Sequence, residues 1–124
     1  MTETELKDRL KSFSLRILKV VDAMPHTVSA WAIAKQIVRS GTSPAANYRA
    51  ACIAKSKRDF LNKLKMVEEE LDETQHWLEL IMDAEILPEE RLRPLYDESK
   101  ELTAIIVSSI VSTRRYLDMH PQEK

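Results

Sequence analysis

The sequence predicts an all-α protein, an antiparallel up-down-up-down four-helix bundle with a kinked second helix. Three observations carry that expectation. One Gly and five Pro among 124 residues leave little material for β-turns or long loops. Ala, Leu, Glu and Lys, all strong helix formers, dominate the rest. Apolar residues recur at steps of three and four in four segments, divided at Pro25, at a basic turn near Lys55–Lys57, and at Pro88.

The first helix is expected from Glu3 to Met24, with Leu6, Leu10, Phe13, Ile17, Val20 and Met24 on one seam. Thr2 and Glu5 suit a capping box, and Pro25 lacks the amide that would prolong the ladder. The second helix starts near Thr27 or Ser29, either of which can accept from the free amides of a first turn. Ala30, Ala34, Ile37, Gly41, Ala45, Tyr48 and Cys52 share a face rich in small residues, which allows a neighbouring backbone to come close. Gly41-Thr42-Ser43-Pro44 interrupts this segment. One long helix kinked there is the expectation, and two abutting helices with Ser43 as cap and Pro44 at the first helical position the alternative. Ser56 opens the third helix, where Phe60, Leu64, Val67, Leu71, Thr74, Leu78 and Ile81 step as a heptad seam. A second stripe, Met66, Glu70, Glu73, Trp77 and Leu80, runs beside it. Pro88, Glu89 and Glu90 suit the start of the fourth helix. Its seam is Leu92, Leu95, Ser99, Leu102, Ile106, Ser109, Thr113 and Tyr116, and residues 119–124 are expected to fray.

A chain of this length fits one domain, spanning 1–124. No stretch approaches the ~20 apolar residues of a membrane span, so no membrane partner is expected. The charged MTETELKDRL start does not read as a secretory signal, and a lone cysteine fits a reducing compartment. The expected location is therefore the cytoplasm. Net charge is −1, but unevenly spread. Residues 35–65 carry eight Lys and Arg against Asp59, whereas 66–101 carry thirteen acids against Arg91, Arg93 and Lys100. Such blocks serve as two attracting helix faces or as a surface for an anionic partner. On the second reading Lys55, Lys57, Arg58, Lys63 and Lys65 are the candidate RNA or DNA contacts.

No catalytic constellation stands out. Glu73 and His76 form a single ExxH pair, whereas di-iron bundles need two such pairs with two further glutamates. His26 and His120 lie at a helix junction and in the tail, where no second pair can form. Cys52 has no histidine near it in sequence and reads as a core filler. The aromatics are not interleaved with basic residues as a base-stacking platform requires, and no Gly-rich phosphate loop is present. Neither an enzyme, a cofactor, a metal nor a small-molecule substrate is expected.

GTSPAANYRAACIAKSKRDFLNKL, followed by EEELDETQHWLEL, resembles the four-helix-bundle family that includes proteins encoded by intervening sequences within bacterial 23S ribosomal RNA genes. The matching positions include Gly41, Asn47, Tyr48, Arg49, Phe60, Glu70, Glu73 and Trp77. The resemblance implies an up-down bundle, a homo-oligomer of five subunits, and no established enzymatic activity. It also implies a relation to the basic accessory proteins of diversity-generating retroelements, which engage nucleic acid.

Folding the second helix back on the third about Lys55–Lys57 brings Arg39 level with Glu73, and Asn47 and Arg49 level with Lys65–Glu69. Arg39, Asn47, Arg49, Glu70 and Glu73 are therefore expected to form a polar network that sets the register, with an arginine on Glu73 or Glu70. Apolar residues off the seams, Leu15 and Leu18 on the first helix and Ile105, Val107, Ile110 and Val111 on the fourth, are the candidate oligomer contacts.

Overall fold

The computed structural model describes residues 1–123. Helices α1 (Glu3–Ala23), α2 (Val28–Cys52), α3 (Lys57–Asp83) and α4 (Glu89–Met119) follow one another, joined by short turns. Their starts are where the capping residues lie. Thr2, Thr27 and Ser56 accept from the amides of Glu5, Ala30 and Asp59 at 3.1, 3.2 and 3.0 Å, which satisfies one free donor at each end. Pro88 precedes α4 without a side-chain cap, and Glu89 and Glu90 face the positive end of its dipole instead.

Each helix packs chiefly on its neighbours in sequence, α2 between α1 and α3, and α3 against α4. The diagonal pairs share no contact, and α1 and α4 touch least. The core runs through Leu10, Phe13 and Ile17 of α1, Ile37 of α2, Leu64, Leu71 and Leu78 of α3, and Leu92, Leu102 and Ile106 of α4. No helix is long and apolar enough to cross a membrane.

Helix α2 is continuous through Gly41–Pro44, so the two-helix alternative is excluded. Pro44 has no amide hydrogen to donate to the Ser40 carbonyl, so α2 lacks one rung of its ladder here. Packing overrides the local cost. A Cβ on Gly41 would come within 2.7 Å of two Ile17 carbons, and Ile17 is fully buried. Glycine is thus the condition for α1 and α2 to lie this close.

Three positions differ from the heptad reading. At the start of α3 it is Leu61 that enters the core, while Phe60 is half-buried beneath the Lys57 ammonium, 5.6 Å away. In the second half of α4 the buried row runs Leu102, Ile106, Ile110, Thr113, Leu117. A straight helix drifts by ~20° per heptad, which turns Ser109 and Tyr116 outward and brings Ile110 and Leu117 in. Helix α4 also continues to Met119, and His120 stacks on Tyr116 with ring centroids 4.0 Å apart. The expected fraying point at 119 is thus still helical, and Lys124 lies outside the described residues.

The α3–α4 turn is held by the amides of Glu85 and Ile86, which donate to Met82 and Ile81 at 3.1 and 3.0 Å. This is a Schellman closure, and it places Glu85 at φ 55°, where glycine is the usual occupant.

Two expected outcomes follow from this packing. Gly41→Ala should lower stability by ~1–3 kcal/mol in urea unfolding despite alanine's better helix propensity, because the methyl overpacks Ile17; Ile17→Val in the same chain should recover part of the loss. Glu85→Gly should raise stability by ~1 kcal/mol by relieving the left-handed conformation.

Candidate functional site

The register of α2 on α3 is marked by a buried hydrogen bond in which the Thr74 hydroxyl meets Ser40 Oγ at 3.0 Å. On the rim beside it, Arg39 spans two carboxylates one helical turn apart. Nη1 donates to Glu70 at 3.0 Å and Nη2 to Glu73. The Trp77 indole N–H donates to the same Glu73 oxygen at 3.0 Å. The indole first, and Arg39 second, hold the Glu73 carboxyl below its ordinary range. The cluster sits at the surface: the Arg39 side chain is 50% exposed, and Glu70 and Glu73 are 24% and 34% exposed.

Asn47 and Arg49 stand apart from this group, which corrects the larger network. Arg49 is exposed and Asn47 half-buried, and among the described residues neither makes a side-chain hydrogen bond or ion pair. They lie two turns further along α2, beyond the reach of Glu70 and Glu73.

The basic residues are gathered at the α2–α3 turn. Lys55, Lys57, Arg58 and Lys65 are exposed, and Lys63 pairs with Asp59 at 3.5 Å. The Lys57 ammonium lies 5.2 Å from the Tyr116 ring centroid, so the end of α4, with exposed Arg114 and Arg115, joins this basic end of the bundle.

Of the apolar candidates, Leu15 and Leu18 are 53% and 42% exposed, and Val111 is also on the surface. Ile105 and Val107 are half-buried. Ile110 is 3% exposed and belongs to the core, for the drift given above, so it is no interface residue. Val28 and Trp31, the latter 65% exposed, add apolar surface on the first turn of α2. They edge a depression of about 640 Å³ at the α1–α2 turn, which Val21 and Met24 also line.

Sequence reading missed two features because both join the ends of the chain. Arg9 of α1 makes a two-pronged ion pair with Glu98 of α4, both bonds 2.7 Å. Next to it, toward the α3–α4 turn, a groove between α1 and α4 is lined by Arg16, Lys19 and Arg91 over Val20, Leu92 and Leu95. The cations were visible as residues, but nothing local marks them as neighbours.

The residues that the sequence suggested for chemistry are engaged elsewhere or stand apart. Glu73 is engaged by Arg39 and Trp77, and His76 is exposed with its ring edge-on to Trp77 at 4.8 Å. Among the described residues no group of three or more His, Cys, Asp or Glu is arranged to hold a metal. Cys52 is half-buried beside Tyr48 rather than in the core, and burial pushes the thiol and the phenol up, away from their reactive forms.

Since Arg39 is half exposed, Arg39→Met should destabilise the fold by less than ~1 kcal/mol in urea unfolding. A carboxyl held low favours the folded state above the ordinary value of ~4.3 and stops doing so as pH falls through its folded value. Carboxyl NMR titration of Glu73 should therefore give a depressed midpoint, and Trp77→Phe should move it up toward the ordinary range.

Residues 2–108 match the family of 23S rRNA-intervening sequence proteins. Among solved structures, a protein of unknown function from the S23 ribosomal protein family of Bacteroides thetaiotaomicron VPI-5482 is similar at 34% identity. That similarity covers 89% of this chain and 98% of the other, with a TM-score of 0.82. No curated protein matches. A match over most of the chain, on the same four-helix fold, makes this protein a member of the 23S rRNA-intervening sequence protein family.

Proposed function

We propose that the protein is a non-enzymatic homo-oligomeric interaction module, a helical scaffold that associates through the outward side of α1. One observation carries this reading: Leu15 and Leu18 lie exposed within one turn of each other on α1. Removing apolar surface from water contributes ~25 cal/mol per Å², so covering these two half-exposed leucines against another copy is favourable. A ring of five is the size implied by the family resemblance. A cytoplasmic location belongs to the same reading, supported by the lone Cys52.

Native mass spectrometry at micromolar concentration tests it. The wild-type chain is expected as a multiple of the protomer mass, and Leu15→Lys with Leu18→Lys is expected to return the protomer while leaving helicity unchanged. A wild-type protomer alone would overturn the reading.

A second reading, binding of RNA or DNA, is favoured by the clustering of Lys55, Lys57 and Arg58 with the end of α4. Association with a structured RNA would weaken steeply with salt, by ~0.9 log unit per log unit of salt for each phosphate neutralised on a duplex. Lys55→Glu with Arg58→Glu should reduce it further. No retention of RNA at 50 mM salt would end this second reading.

A further inference from the structure

The groove between α1 and α4 is a separate surface from the exposed leucines of α1. It opens where the two helices touch least, and Val20, Leu92 and Leu95 form its apolar floor. Leu92 and Leu95 are 1% and 3% exposed, so the floor is the outer edge of the core. Arg16 and Lys19 rise beside it from α1, and Arg91 from the first turn of α4. Among the described residues no acid lines the groove, and none of the three cations has an ion-pair partner.

Neighbouring acids are engaged or directed elsewhere. Arg9 holds Glu98 and Glu101, and Arg93 holds Glu89. Asp22 lines the α1–α2 depression instead. Glu90 is exposed, turned from Arg91 by the ~100° between successive helical residues. The result is a positive rim over an apolar floor. Its volume is about 210 Å³, below the ~300–1,000 Å³ of pockets that enclose drug-sized ligands. Such a groove admits a short apolar chain with one anionic head.

We propose that the groove binds a short- to medium-chain carboxylate, with the chain over Val20, Leu92 and Leu95 and the head among Arg16, Lys19 and Arg91. A guanidinium meets both oxygens of a carboxylate through two parallel bonds. A monoanion fits better than a phosphate dianion, because taking charge out of water beside leucine side chains costs more as the charge rises. The site does not depend on the oligomeric reading, since neither Leu15 nor Leu18 lines it.

Titration of the isotope-labelled full chain with sodium octanoate at neutral pH, followed by NMR, tests this. The amides of Val20, Leu92 and Leu95 are expected to shift saturably. Acetate should bind at least tenfold more weakly, and each methylene added between butanoate and octanoate should tighten binding by up to ~4-fold. Octylammonium should leave those amides unshifted, and octyl phosphate should bind no more tightly than octanoate. Arg16→Gln with Arg91→Gln should weaken octanoate at least tenfold, and undiminished affinity in that folded variant overturns the proposal. Should the variant lose helicity by circular dichroism, the wild-type ligand series decides alone. Shifts centred on Val28 and Trp31 would mean adsorption to the α1–α2 depression, and overturn the site. So would octylammonium matching octanoate, octyl phosphate exceeding it, or no saturable shift at the groove, which leaves the cations as covers of the leucines.

Discussion

The bundle depends on one close approach, that of α1 to α2 at Ile17 and Gly41. Helix α2 contains a glycine and a proline in its interior, which together cost roughly 4 kcal/mol against an ideal helix. It is continuous because it is clamped between α1 and α3. The clamp works only with a face of small residues. Gly41 lets the Ile17 side chain reach the α2 backbone, and the fully buried Ile17 lies where any larger residue at 41 would need to be. The register of α3 on the other side of α2 is carried by Ser40, adjacent to that glycine, through its bond to Thr74.

Polar groups are sorted by depth around this contact. Inside, Thr74, Ser99 and Thr113 return their hydroxyl hydrogens to carbonyls of the preceding turn, so no charge is needed in the core. Charges appear at the rim, where Arg39 links α2 to α3 and Arg9 links α1 to α4. Such pairs contribute little to stability because water competes for both partners. Their larger consequence is selective. They occupy Arg9, Arg39, Glu70, Glu73 and Glu98, whereas among the described residues Arg16, Lys19, Arg91, Glu69 and Asp72 make no ion pair.

The acidic and basic blocks of the sequence are partly spent on joining adjacent helices and partly left facing outward with apolar neighbours. The 34% identical relative of unknown function shares the fold over almost its whole length, so the framework outlasts extensive change in the residues that clothe it.

Four helices, their starts and their stops were readable from the chain, because capping residues, prolines and apolar stepping act over four residues or fewer. Thr2, Thr27, Ser56 and Pro88 each mark a boundary within one or two residues. Folding α2 back on α3 across a short turn also brought Arg39 level with Glu73 by counting alone. Burial was harder. Periodicity placed Arg39 and Asn47 in one network and Ile110 outside the core, yet their depth depends on crossing geometry and on helix drift accumulated over many turns. The α1–α4 seam was invisible for a stronger reason. Arg9 and Glu98 are 89 residues apart, and only the closure of the whole bundle makes them neighbours. Local sequence determined the elements because their signals are local. Tertiary structure alone decided which charges are paired within the molecule and which remain on its surface, because that depends on which surfaces the packed helices leave uncovered.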